Sequence, residues 1–201
     1  VAISSPILEK GKESSLIKSR DIIIALDISY SMSATDIAPS RYEFAKETIN
    51  HFLDINPTDN IMLLGFTTNP LILSPPTTDH ELIKIALDAL NPKYILTKGT
   101  SIKRLLKKLI SIDSQNKTLI LITDGGEESD LDSLSSLIKS ANISLSILAL
   151  GTQSGTTISN EDGTLLKDKS DNLIISRINP ILKPLASSVG GDFLVASSSS
   201  K

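Results

Sequence analysis

The chain contains no cysteine and no tryptophan. Without cysteine there is no disulfide, no thiolate metal site and no thiol nucleophile. Aromatic residues make up only 3% of the sequence. Stacking platforms for bases are therefore scarce, which argues against a single-stranded nucleic acid as ligand. No uninterrupted apolar run approaches the ~20 residues that a membrane-spanning helix needs, and no charged stretch followed by an apolar one opens the sequence as a signal peptide would. Lysine and arginine total 20 against 23 acidic residues, for a net charge of −3. No basic stripe is left over for a phosphate backbone or an anionic lipid surface. The G-x-S-x-G elbow of many hydrolases is missing. Gly151-Thr152-Gln153-Ser154-Gly155 is neither a dinucleotide fingerprint nor a phosphate-cradling loop with its lysine, and reads as a turn.

What is present is ordinary globular material: 201 residues, 40% hydrophobic and 21% charged. That length suits one well-cored domain, and the scarcity of aromatics makes its core aliphatic. Residues 1–20 are polar and patternless and read as a lead-in; residues 21–196 read as the domain, and 197–201 as a polar tail. The chain opens on Val1, so a piece of a longer protein is expected, with any membrane segments lying outside it.

Asp21–Ile28 (DIIIALDI) is a nearly continuous apolar run, the signature of a strand buried on both faces. Asn60–Phe66, Thr118–Thr123 and Ser144–Leu150 repeat it, Asp192–Ala196 is shorter, and Leu71–Ser74 is weak. Between them lie amphipathic stripes at helical spacing. Tyr42, Ala45, Ile49 and Phe52/Leu53 follow Ser40, a candidate N-cap. Further stripes are Ile83–Leu90, Ile102–Leu109, Leu131–Ile138 and Ile178–Leu185. Alternating strands and helices predict an α/β fold of three layers, with a mostly parallel sheet between helices. The link from Asn60–Phe66 to Leu71–Ser74 is too short for a crossover, so that pair should be antiparallel and at an edge. Thr164–Lys167 and Leu173–Ser176 flank a polar turn and predict a hairpin, in an insertion spanning about 156–176.

Ligands of open parallel sheets bind outside the carboxyl ends of the strands. Asp27, Ser29 and Ser31 follow the first strand as D-x-S-x-S. Asp124-Gly125-Gly126 follows Thr118–Thr123, and Gly99-Thr100-Ser101 opens a helix. Two carboxylates and several hydroxyls from three loops can thus converge on one rim. All offer hard oxygen, which selects Mg2+, with Mn2+ and Ca2+ as alternatives, over softer metals. Neutral hydroxyls in contact, with carboxylates behind water, leave a dication electrophilic toward an incoming Asp or Glu.

These residues resemble the metal-ion-dependent adhesion site of von Willebrand factor A domains, and the resemblance covers roughly residues 20–196. It implies that Ser29, Ser31 and Thr100 are metal-proximal hydroxyls, that Asp27 and Asp124 act largely through water, and that an open position takes a carboxylate of a partner protein. The module would then be a non-enzymatic interaction domain. Asp21–Met32, Gly163–Arg177 and Leu185–Leu194 resemble, more narrowly, the bacterial aerotolerance-operon (Bat) proteins, the BatB-like branch above all. That implies a membrane-anchored bacterial protein with its domain in the periplasm, acting in assembly or stress tolerance beside other Bat-type proteins or a MoxR-type AAA+ ATPase. Two positions depart from the family pattern. Tyr30 stands where glycine is usual between the serines, and Gly126 stands where an acid often follows Asp-Gly.

Blander readings sit beside these. D-x-S-x-S alone is weak in a serine-rich chain. Either Thr100 or Ser101 can cap the helix that follows. Asp36 reads as a solvated loop or cap residue, Glu127 and Glu128 as a solvated loop, His51 and His80 as structural, and Lys103, Arg104, Lys107 and Lys108 as a solvated helix face. Two other functions remain open. A metal-dependent phosphoesterase also begins with a strand-end Asp, although Ser29 occupies the place of its second carboxylate. A scaffold could instead act through other surfaces, such as the insertion or the basic helix face.

Overall fold

The computed structural model describes residues 19–90, 99–112, 117–159 and 162–196. The expected lead-in lies outside them up to residue 18, as does the tail 197–201. Arg20, the last lead-in residue, is already tied down: its guanidinium and its backbone N–H both donate to Asp59.

The chain runs β1 (Asp21–Asp27), α1 (Arg41–Ile55), β2 (Asn60–Phe66), β3 (Pro70–Thr77), α2 (His80–Ala89), α3 (Ile102–Ile110), β4 (Lys117–Thr123), α4 (Leu131–Ser140), β5 (Ile143–Leu150), β6 (Thr156–Thr157), β7 (Ile175–Ser176), α5 (Leu182–Ser188) and β8 (Asp192–Ala196). A 3-10 turn at Tyr30–Ser33 follows β1. Six strands form one sheet in the order β3-β2-β1-β4-β5-β8. All neighbours are parallel except β2 and β3, the expected antiparallel edge pair.

Alternation along the strands divides the core. Ile23 and Ala25 face one side, with Leu105, Leu109, Leu134, Ile138, Leu182 and Leu185 from α3, α4 and α5. Ile22, Ile24 and Leu26 face the other, with Tyr42, Ile49, Leu53, Ile83 and Leu87 from α1 and α2. Both faces of β1 are therefore covered, which is why its sequence is apolar at every inner position. Ser40 caps α1 as expected, accepting from the Glu43 N–H at 3.1 Å.

Two expectations need correction. The last helix begins at Leu182, not Ile178. Asn179 Oδ1 accepts the Ile181 N–H at 3.0 Å, a local turn that occupies the chain just before the helix. The insertion is also more than a hairpin. Lys167 bridges Leu173 as expected, but Ser159 bridges Leu165, and β7 pairs with β6.

β1 lies between β2 and β4, strands reached by crossovers in opposite directions. The sheet's switch point thus falls at the carboxyl ends of β1 and β4, where a ligand crevice opens. Leu26 registers with Ile122, so Asp27 and Thr123 end their strands side by side.

Candidate metal centre

Asp27 is fully buried at the end of β1. Its Oδ1 accepts the Ser29 N–H at 2.9 Å, which bends the chain so that the serine hydroxyls turn back over the strand end. Ser29 Oγ and Ser31 Oγ then lie 3.0 Å apart. Asp27 Oδ2 accepts from Thr123 Oγ1 at 2.5 Å, and Thr100 Oγ1 approaches the same oxygen at 3.4 Å. Ser101 Oγ takes the cap of α3, accepting from the Arg104 N–H at 3.3 Å, so the neighbouring hydroxyls divide the work and Thr100 faces the rim.

Asp124 is 2% exposed. Its Oδ1 accepts the Gly126 N–H at 3.1 Å, and its Oδ2 accepts from Arg41 Nη1 and Ser176 Oγ, both at 2.9 Å. Ser29, Ser31, Thr100 and Asp124 line one cavity of ≈ 740 Å³. The structure thus brings together the expected residues: Asp27, Ser29, Ser31, Thr100 and Asp124.

The electrostatics explain what such a rim can hold. Burial, and then the like charge of Asp124, push the Asp27 carboxyl up to about 7 against the hydrogen bonds from Thr123 and Ser29. Arg41 is the cation of this network, and it also forms a bidentate pair with Asp36 at 2.7 and 2.8 Å. Asp36 and Asp124 therefore share one guanidinium, and Asp27 adds a third carboxylate within reach of the Asp124 charge, an excess of two negative charges when Asp27 is ionised. A dication matches that excess. The spacing fits as well: ligands at about 2.1 Å in an octahedron sit about 3.0 Å from their neighbours, which is the Ser29–Ser31 separation. Among the described residues no three acidic or imidazole side chains form a metal cluster, so any site here relies on hydroxyl oxygen.

The sequence did not reveal the residues that brace the rim. Asp36 is not a solvated loop residue: its side chain is 8% exposed and locked to Arg41, itself 0% exposed. Arg41 stands at i−4 to Ala45 and i−8 to Ile49, on the buried stripe of α1, and that misplaced charge was the available signal. Gly151 accommodates it. At φ 127°, a Cβ there would lie 2.8 Å from Arg41 Cζ, so the glycine turn after β5 is the berth of the guanidinium. Asn179 secures the loop after β4: its backbone N–H donates to Asp124 O at 2.8 Å, and its side-chain amide to Gly126 O and Glu128 O at 2.9 and 2.7 Å. Glu128 is not simply solvated either, since its Oε1 accepts the Lys103 N–H near the start of α3. His80 has its ring nitrogens 3.2 and 2.8 Å from the carbonyls of Leu53 and Asp59, a structural role away from the rim.

Residues 22–127 match the family model of the von Willebrand factor type A domain, a span from β1 through Asp124. This chain belongs to that family. Two solved structures resemble this VWA domain along nearly its whole length. One is of BatB from Bacteroides thetaiotaomicron, 28% identical with a TM-score of 0.80 and covering 90% of this chain and 92% of that one. The other is of an aerotolerance-related membrane protein from Bacteroides fragilis, 26% identical with the same TM-score and coverage. A curated relative, a UPF0353 protein of Mycolicibacterium paratuberculosis, is 28% identical over 152 residues, 67% of this chain and 45% of the relative. The chain spans about half the length of the curated relatives it matches. At the level of fold alone, it resembles proximal thread matrix protein 1 of the mussel byssus, 19% identical with a TM-score of 0.52, whose structure is described as having a zinc-occupied MIDAS motif. No helix among the described residues of this VWA domain is long and apolar enough to cross a membrane.

Proposed function

We propose that this VWA domain binds a divalent cation, Mg2+ by its oxygen-only donor set, and uses it to hold an Asp or Glu side chain of a partner protein. Ser29, Ser31 and Thr100 would contact the metal, with Asp27 and Asp124 behind them through water. The bound cation would supply an electrophilic position for the incoming carboxylate. The observation that carries this reading is the convergence of three hydroxyls and two buried carboxylates on one rim, with more negative charge than Arg41 offsets. In this reading the role is interaction rather than catalysis, by likeness to the VWA family. By likeness to the Bat proteins, the domain would serve a membrane-anchored bacterial assembly from the periplasmic side. Its partners would be other Bat-type proteins or a MoxR-type ATPase system.

Isothermal titration of the domain with Mg2+, Mn2+ and Ca2+ tests the metal. One ion should bind per chain, and Asp27→Ala should abolish the heat. Silence at millimolar metal, or an Asp27→Ala variant that titrates like the parent, would remove the reading. Metal-dependent turnover of a generic phosphoester, lost in Asp27→Asn, would favour the phosphoesterase instead.

A further inference from the structure

The cavity beside the rim is larger than one carboxylate side chain requires. Its ≈ 740 Å³ falls in the range of about 300–1,000 Å³ that holds a drug-sized ligand. Its far wall is apolar and comes from the insertion. Ile158 O accepts the Leu166 N–H at 2.7 Å, and Leu166 O accepts the Ile174 N–H at 2.9 Å. Three adjacent backbone segments thus carry Ile158, Leu166 and Ile174 in register, and all three line the cavity with Ile175.

These side chains are more than a private core for the insertion. Ile158 is buried, but Leu166 and Ile174 are only half-buried, and Ile175 is 49% exposed. Apolar surface left open in a concavity is surface for a partner to cover. The wall shares its cavity with the rim oxygens, so a segment that places a carboxylate at the rim has an apolar surface in the same cavity for a neighbouring residue.

We infer that the cavity recognises an acidic residue together with a large aliphatic side chain next to it in the partner's chain, the acid at the rim and the aliphatic group against Leu166, Ile174 and Ile175. This rests on the proposed metal-dependent capture of an acid and adds the second determinant. The occupant is an extended acidic-aliphatic segment of a protein.

Three acetylated, amidated peptides test it: Gly-Leu-Asp-Leu-Gly, Gly-Gly-Asp-Gly-Gly and Gly-Leu-Asn-Leu-Gly, titrated into the full chain in Mg2+ and again in EDTA. The leucine-flanked aspartate should bind at least about tenfold more tightly than the glycine-flanked one, the scale set by burying one large aliphatic group. The asparagine peptide should not bind, and EDTA should abolish all binding. Ile175→Ser and Leu166→Ser should each erase the leucine preference, so that the leucine-flanked and glycine-flanked aspartate peptides bind with equal affinity. Equal affinities for the two aspartate peptides, both requiring Mg2+, would overturn this inference and leave the metal reading standing. Tight binding of the asparagine peptide would also overturn it. Failure of every peptide to bind in Mg2+ would overturn both.

Discussion

Arg41 and Asp124 stand 83 positions apart in the chain, yet Nη1 of the guanidinium lies 2.9 Å from Oδ2 of the carboxylate, with both side chains out of solvent. The same guanidinium holds Asp36 by two further bonds. Removing one partner of such a buried pair leaves charge behind without compensation, at a cost of about 3–5 kcal/mol. Arg41→Met should therefore lower unfolding stability by that amount in urea titration. Arg41→Lys should rescue little, because a point-like ammonium cannot reproduce the planar fork. A fully stable Arg41→Met variant would show the network to be dispensable.

The Asp36 pair gives the domain an acid limit. Burial pushes the Asp36 carboxyl up, but Arg41 and Thr152 outweigh it and hold the carboxyl below the ordinary range. A depressed folded-state value means that the contribution is present above the unfolded value of about 3.9 and is lost as pH falls through the lower folded value. Thermal midpoints read between pH 5 and pH 2.5 should fall steeply below about pH 4. Asp36→Asn should start lower and flatten that part of the profile.

Thr100 and Ser101 offer a paired test of the division of labour at the start of α3. Ser101→Ala removes the cap and should cost about 1 kcal/mol of stability with Mg2+ affinity kept. Thr100→Val should leave the thermal midpoint nearly unchanged and weaken Mg2+ at least about tenfold, the loss of one oxygen ligand at about 1.4 kcal/mol or more. If the two variants behave alike by both measures, Thr100 is only a structural residue.

Gly126 follows the Asp124-Gly125 pair, and its local geometry suits glycine. Its φ is +51°, and an added Cβ would sit 2.6 Å from Thr100 Cβ. Gly126→Ala should displace Thr100 and lower Mg2+ affinity, with a stability loss of more than about 1 kcal/mol from the positive φ. Calorimetry with metal and denaturation without it separate the two effects.

Asn179→Ala should loosen the loop after β4, since its amide reaches carbonyls on both sides of Glu127. Leaving partly buried carbonyls without a donor costs about 1–3 kcal/mol. The thermal midpoint should fall, and Mg2+ affinity should fall with it as Asp124 loses its support.

The sequence revealed the layers because the strands that matter are covered on both faces, and such strands read as unbroken apolar runs. It also revealed the rim, because Asp27, Ser29 and Ser31 are set by one short turn, and Thr100 and Asp124 by the ends of single elements. The bracing residues escaped because each works across the chain. Arg41 meets Asp124 and Ser176, and Asn179 reaches back to Gly126 and Glu128. The place of Arg41 on the buried stripe of α1 marks it as unusual but names no partner, and nothing at Asn179 differs locally from a turn asparagine. Asp36 was misread for the same reason: its solvent-free surroundings come from Arg41 and Thr152, not from its neighbours in sequence.

Ser176 is the last residue of the insertion, and its hydroxyl donates to Asp124. It lies directly after Ile175 in the apolar wall, and Arg41 donates to both its hydroxyl and its carbonyl, so a single short strand joins the wall to the Arg41–Asp124 pair. An outward movement of the insertion at Ser176 would strain all three bonds at once. The position of the wall and the seat of Asp124 are therefore set together, and a shape change in the one is felt as a charge rearrangement in the other.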